Sequence, residues 1–382
     1  MLQKRTFAAP LEALHHTEFG ERAARGLPKL RVLMIGAGGM ADGWIRRMLP
    51  RFFDRMEIVG LCDVVPKVLH DAADFLQLPA SARFASMDEA FAQVEADCAI
   101  VVIPPAHHRA AIVGAAARGM AVFSEKPIAD TWEASVDVYH AVARAGVKMA
   151  VIQNYRYTPR ILTVKKVLTD GVLGTPRYIM ARFADDYRVR NAWGKFRHEI
   201  RHSLLIEGSV HHFDQIRNLS GADCAWIAGR EWRPEQTSFD GECMAQFVCQ
   251  MGNGVMGNYE GSGLAAGRLN GWHAEAYRVE CEDGAVSVDR DQTVRIVRHR
   301  GGGRVAIEEV EPLRAAYEGH QHVMDTTFRW FAGEGPAPET AIADNIRSAA
   351  MLFAAIEASA TGTVVHVPAM LQAAGIATAA SG

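Results

Sequence analysis

From Arg31 to about residue 155, short apolar runs alternate with amphipathic stretches. RVLMI, EIVGLC, DCAIVVI and MAVFSE read as strands, and helical patterns start near Met40, Pro66, Asp88 and His107 between them. A further helix over 130–145 and the run KMAVIQNY complete the series. Such alternation predicts a parallel sheet covered by helices on both faces. The texture then changes. After a helix near 160–170 and the turn-rich DGVLGTP come RYIMARFA, ECMAQFVCQ, GVMGNYEG, YRVECED, AVSVD and TVRIVRH, joined by turns containing Gly and Asp. They predict a second, predominantly antiparallel sheet. The apolar stretch AIADNIRSAAMLFAAIEASA carries too much hydrophobic surface to stand alone and is expected to pack back on the first domain. The predicted organisation is an extension (1–29), an α/β domain (30–155), an α+β domain with the large sheet (156–340), and a C-terminal helix and tail (341–382).

The length of 382 residues suits two domains with an appendage, at about 150 residues per domain. A hydrophobic fraction of 49%, a charged fraction of 22% and a net charge of −3 exclude a disordered or collagen-like chain and give no footing for nucleic acid or a membrane surface. The expected partner is a small molecule. The six cysteines are scattered with no C-x-x-C pair, which reads as reduced thiols and not as a disulfide framework. Glu12, His15 and His16 interrupt what would have to be the apolar core of a signal peptide, so a cytoplasmic location is expected.

RVLMI runs into Gly36-Ala37-Gly38-Gly39-Met40-Ala41 and then a helix, the context that a G-x-G-x-x-G/A match requires. Gly36 permits the tight turn, Gly38 the approach of backbone to a pyrophosphate, and Ala41 close packing of helix on strand. The N–H groups at the helix start favour the phosphates. This is the signature of a Rossmann dinucleotide-binding domain. Twenty-two residues beyond Ala41, Asp63 ends the second strand, where a carboxylate accepts hydrogen bonds from an adenosine ribose. A 2′-phosphate would be repelled there, and Val64, Val65 and Pro66 supply no arginine, so NAD is expected over NADP.

Three further segments carry candidate chemistry. In IPPAHHRAAIVGAAARGMAVFSEKP, Pro104 and His108 follow one strand and Glu125, Lys126 and Pro127 follow the next, at the strand ends where open α/β sheets bind ligands. Lys126 is positioned to polarise a substrate hydroxyl, or is a surface lysine before a turn. In IEGSVHHFDQIRNLSG, a helix from about Gly208 puts Glu207 and His211 four residues apart on one face. They form either a carboxylate–imidazole acid/base pair or a polar helix cap. VIQNYRYTPRI delivers Asn154, Tyr155 and Arg156 to contact substrate or to anchor the interdomain turn.

Taken in order, GAGGMA, CDV, the PPAHH helix, SEKP, NYRYTP, DGVLGTPRYI and EGSVHHFD resemble the Gfo/Idh/MocA family of glucose–fructose oxidoreductase and inositol dehydrogenase relatives, over about residues 30–365. The resemblance implies an N-terminal Rossmann domain, a C-terminal domain with a large antiparallel sheet, and hydride transfer between NAD(P) and a hydroxyl-bearing carbon of a sugar, sugar acid, glycoside or cyclitol. It matches Lys126 to the family's EKP lysine, His211 to its catalytic histidine, and Asp214 to the last, structural acid of D-x-G-x-H-x-x-D. Glu207 stands where Asp is usual and Ser209 where Gly is usual. The extra methylene displaces the carboxylate by about 1.5 Å, enough to alter which hydroxyl is contacted. A homodimer or homotetramer joined through the C-terminal sheet is expected.

The basic run of Arg188, Arg190, Lys195, Arg197 and Arg201 either reads an acidic substrate or is a solvated loop. His211, His212, His320 and His322 invite a zinc reading, but adjacent helical residues diverge by about 100°, so no metal site is expected of them. Tyr317 or His320 could line a pocket rim. Two alternatives to net oxidation stay open: a redox-neutral glycosidase or epimerase working through transient oxidation, and a non-catalytic dinucleotide sensor.

Overall fold

The computed structural model describes residues 4–5, 28–267 and 269–378, so the expected extension over 1–29 lies almost wholly outside the described residues. Two compact units form. Strands are numbered in chain order from the two-residue β1 (Lys4–Arg5). The first unit holds β2 (Leu30–Ile35), β3 (Met56–Cys62), β4 (Arg83–Phe84), β5 (Cys98–Val101), β6 (Ala121–Ser124) and β7 (Met149–Val151). These make one parallel sheet in the spatial order 4-3-2-5-6-7. Its central strands are buried along most of their length because helices cover both faces, as the continuous apolar runs require. The helix Trp132–Ala145 shows how local chemistry sets the element ends. Thr131 Oγ1 accepts from Ala134 N at 3.1 Å at its start, and Gly146 adopts the left-handed conformation (φ 65°) that ends it.

Residues 316–340 were expected in the second domain, but Ala316–Ile346 clusters with the first. The reason lies in the packing of the helix His320–Phe331. Arg55 is 4% exposed and needs a buried counter-ion, which Asp325 supplies at 2.6 Å. Phe328 packs edge-on against Phe52 and Phe123, with centroids 5.5 and 6.0 Å away. Val151 N then donates to Thr340 O at 3.0 Å.

The second unit takes Tyr155–Ala315, the described residues 347–378, and β1. It adds β8 (Pro176–Ala184), β9 (Cys224–Trp232), β10 (Met244–Met251), β11 (Met256–Ser262), β12 (Ala276–Cys281), β13 (Gly284–Val288), β14 (Val294–His299), β15 (Val305–Val310) and β16 (Val365–His366). The ten strands run 1-15-14-13-12-8-11-10-9-16, antiparallel except where β8 meets β11 and β1 meets β15. Helices Pro159–Thr169 and Val210–Ser220 pack on this sheet. Along β10, Ala245, Phe247, Cys249 and Met251 are buried, while Val248 on the other face is exposed.

The C-terminal helix Ile342–Thr361 was expected to dock on the first domain. Only Ile342–Ile346 of this helix cluster there, and its remainder from Arg347 to Thr361 belongs with the second unit. Polar contacts within that unit hold it: Ser348 Oγ donates to Asp214 at 2.6 Å, and Ser359 Oγ accepts from Glu231 N at 3.0 Å. Among the described residues, no helix is long and apolar enough to cross a membrane.

Candidate active site

In the first unit, the glycine turn leaves β2 as its sequence requires. Gly36 has φ +101°, and a Cβ there would lie 2.0 Å from Val102 O, so neither the conformation nor the space tolerates a side chain. A Cβ on Gly38 would meet Val68 Cγ1 at 3.2 Å. Ala41 is fully buried and its N–H closes the turn on Gly38 O at 3.0 Å. The backbone N–H groups of Gly38 and Gly39 have no hydrogen-bond partner among the described residues, and a Cβ on Gly39 would meet nothing within 4 Å. This is a donor cradle open to an anionic group, as the pyrophosphate of a dinucleotide needs. Met40, beside it, is 40% exposed.

Asp63 follows β3 and braces this turn. Its Oδ2 accepts from Ala37 N and its Oδ1 from Val65 N, both at 2.8 Å. Each carboxylate oxygen keeps a further lone pair for a ribose hydroxyl. The nearest following cation, Lys67, is exposed and paired with Asp71 at 2.7 Å.

The loops after β5 and β6 are tied together by His108. Its ring nitrogens lie 2.8 Å from Pro127 O and from Ile103 O, and the side chain is wholly buried. Of the residues expected along the cofactor edge, His108 thus holds backbone in place, whereas Pro104 is exposed. Glu125 Oε1 accepts from Trp44 Nε1 at 3.1 Å and its Oε2 from Lys126 N at 3.2 Å. Lys126 is partly exposed beyond this buried carboxylate and precedes Pro127 through a cis peptide. Asn154 Nδ2 lies 3.2 Å from His320 Nδ1, and His320 and Tyr317 pack on Trp44 and Phe52, so both proposed rim residues are built into this unit.

In the second unit, the helix carrying the histidines starts earlier than expected. A π-helical turn over Leu205–Ser209 runs directly into Val210–Ser220. Ser209 Oγ donates to Leu204 O at 3.2 Å, five residues back, which matches the wide π register, and lies 2.7 Å from Tyr259 Oη. The hydroxyl at this unusual position is therefore fully used inside the core. His211 is 4% exposed and stacks face to face on Tyr155, centroids 4.2 Å apart and planes 6° apart, with Trp272 edge-on at 6.2 Å. Burial beside the Glu275 carboxylate pushes the Tyr155 hydroxyl well above its ordinary pKa, so it stays neutral. His212, one residue on, points into the core: it stacks on Phe183, and its Nδ1 lies 3.0 Å from Tyr259 Oη.

Glu207 sits in the π turn, 2% exposed, and accepts from Arg197 Nε at 2.8 Å. Arg197 belongs to the basic run, and carboxylates engage most of that run. Arg188 pairs with Asp186 at 2.5 Å, Arg190 with Asp240 at 2.8 Å, and Lys195 with Glu199 at 3.9 Å. A segment so neutralised favours the solvated-loop reading over a bare anion site. Arg156, expected among the substrate contacts, instead donates twice to Asp214, at 2.8 and 2.6 Å, both groups being buried. Sequence reasoning missed Trp272 and His273, which close around Tyr155; the signal was an aromatic pair, GWHAE, in a Gly-rich loop.

Comparison with known proteins agrees with this architecture. A protein-family model described as the oxidoreductase family with an NAD-binding Rossmann fold matches residues 30–153, and the GFO/IDH/MocA C-terminal domain matches 161–287. Uncharacterized protein y4oX of Sinorhizobium fredii is 36% identical over 348 residues, covering 90% of this chain and 97% of that protein. D-apiose dehydrogenase of Paraburkholderia graminis is 26% identical over 87% of this chain and 88% of its own length. Among solved structures, an oxidoreductase from Agrobacterium radiobacter in complex with NAD⁺, L-tartaric acid and magnesium superposes with a TM-score of 0.77 at 21% identity, covering 90% of this chain and all of that one.

Proposed function

Because this chain belongs to the Gfo/Idh/MocA oxidoreductase family, we propose that it is an NAD-dependent dehydrogenase acting on a CH–OH carbon of a sugar, sugar acid, glycoside or cyclitol. The observations that carry the reading are taken unit by unit: a buried, stacked His211 in one, and a strand-end Lys126 and an open glycine turn in the other. The Gly36–Ala41 turn and Asp63 would hold the dinucleotide, whose nicotinamide supplies the hydride acceptor when bound. Lys126 polarises the reacting oxygen and stabilises developing alkoxide character. His211 takes the hydroxyl proton on its imidazole, and stacking on Tyr155 fixes the ring plane for that transfer. Glu207, four residues before His211 on the same helical run and held by Arg197, is the carboxylate this reading assigns to orient the imidazole. A D-apiose dehydrogenase among the relatives supports a polyol-like substrate.

The reading also extends to setting. The six cysteines are buried free thiols, which suits a reducing, cytoplasmic compartment. The outer sheet face exposes Trp232 and Val248, and a second copy of the chain covering them would make the dimer, which sedimentation velocity tests.

The direct test mixes enzyme and NAD⁺ with a panel of sugars, sugar acids, cyclitols and glycosides and follows NADH fluorescence with product analysis. NADH accumulating well beyond the enzyme concentration is expected. NADH capped at the enzyme concentration while product accumulates would replace this reading with redox-neutral chemistry. For cofactor choice, Asp63→Arg is expected to move the NAD/NADP ratio of kcat/KM toward NADP by at least about tenfold, the worth of about 1.4 kcal/mol. An unchanged ratio would remove Asp63 from the cofactor argument.

A further inference from the structure

Outside the residues assigned to hydride transfer, one cluster in the second unit has the composition of a cation site. His202 precedes the π turn, Glu231 lies near the end of β9, and Glu242 lies just before β10. One ring nitrogen of His202 and one carboxylate oxygen from each glutamate lie within 4.8 Å of one another. His202 Nδ1 is 2.5 Å from Glu231 Oε1 and 3.6 Å from Glu242 Oε2. A tetrahedral ion bound at 2.0–2.2 Å sets neighbouring ligand atoms about 3.3–3.6 Å apart, so the His202–Glu242 spacing fits, while the His202–Glu231 pair has to exchange its hydrogen bond for the ion and open by about 1 Å, and the two carboxylates lie within 4.8 Å.

The independent sign is Glu231. Its side chain is 3% exposed, and its second oxygen, Oε2, is buried with no hydrogen-bond partner among the described residues. Leaving a carboxylate oxygen unsatisfied in the interior is costly, and a bound cation removes that cost. The backbone also serves the arrangement. His202 adopts φ +52°, which lets its N–H donate to Glu242 Oε2 at 2.8 Å while its ring faces Glu231. His202 and Glu242 are about a quarter exposed, leaving a route from solvent.

We propose that His202, Glu231 and Glu242 bind a first-row divalent cation of the zinc class. One imidazole and two carboxylates suit Zn²⁺ or Mn²⁺ better than Mg²⁺ or Ca²⁺, which take oxygen ligands throughout. The ion's role is structural. It fixes the chain at His202, next to Ser203, whose Oγ donates to Arg197 O, and so braces the segment that presents Arg197 to Glu207.

The test uses full-length protein stripped with a chelator, dialysed, and titrated with Zn²⁺ against a chromophoric competitor; retained zinc is counted by mass spectrometry after gel filtration. One Zn²⁺ per chain is expected. Affinity should fall by at least about tenfold in His202→Gln and in Glu242→Gln, both at partly exposed positions. The double variant should lose the ion while keeping its far-UV circular dichroism and NADH binding. Substitution with Co²⁺ should give visible absorption in the wild type that the double variant lacks. Zinc held at unchanged affinity by the folded double variant would place the ion elsewhere, and wild-type uptake no greater than the double variant's would leave a plain histidine–glutamate ion pair. Either result overturns the proposal.

Discussion

Replacing His211 by alanine is expected to lower kcat by about 10²–10⁴-fold while leaving the Kd for NADH within about threefold of wild type. The split follows from where the residues sit. The glycine turn and Asp63 belong to one folded unit and His211 to the other, stacked on Tyr155 within its own unit. Removing the ring takes away the proposed proton acceptor without touching the donor cradle. Lys126→Met should cost about 10²–10³-fold in kcat, because on the proposed reading it deletes the charge that stabilises the developing alkoxide. Steady-state kinetics on the substrate found by the NADH panel, with NADH binding read by fluorescence, checks both. If both variants keep turnover within threefold, the catalytic assignment is wrong. Tyr155→Leu offers a finer check: it keeps the imidazole but removes its stacking plane, so a loss in kcat with little change in KM is expected of a positioning residue.

Much of the first unit was legible in the sequence because its information is local. Continuous apolar strands, a turn that only glycine can make at Gly36, and helices bounded by Thr131 and Gly146 are each set within a few residues. The second sheet was legible at its centre and not at its periphery. β9 reads CAWIAGREW, in which Gly229 and two charges break the apolar alternation, β15 reads VAIEEV with two adjacent glutamates, and β16 is only two residues long. Where the apolar alternation is broken, strand character comes from pairing with neighbours already in place. The helix His320–Phe331 was missed for a related reason, since its place follows from Arg55 and Asp325, 270 residues apart. At the candidate site, the relation of Glu207 to Arg197 could not be read from the four-residue spacing to His211. Arg197 reaches Glu207 from a separate short helix, and a π turn intervenes. The triplet His202, Glu231 and Glu242 has no motif spacing at all, because sheet pairing of β9 and β10 brings it together.

Asp214 carries the second large prediction. It joins three elements of the second unit: Arg156 from the turn after β7 donates to it twice, and Ser348 from the C-terminal helix donates at 2.6 Å. Arg217 donates in turn to Ser348 Oγ at 2.7 Å and to Asp223 Oδ1 at 2.6 Å. Asp214 is 1% exposed and Arg156 is 7% exposed, so deleting the carboxylate leaves a guanidinium in the interior without its counter-ion. Asp214→Ala is therefore expected to destabilise the protein by about 3–5 kcal/mol. Asp214→Asn should cost less, because the amide oxygen still accepts from Ser348 and Arg156. Urea unfolding followed by tryptophan fluorescence measures both. The decisive comparison is the double variant Arg156→Met/Asp214→Leu. A buried pair replaced by apolar groups of similar volume is often near neutral, so much of the single-variant loss should be recovered. Recovery would identify the unpaired charge as the cause and make the pair a device for register, one that sets Tyr155, the residue next to Arg156, against the ring of His211. A double variant as unstable as Asp214→Ala would contradict that account and assign the loss to packing around the helix itself.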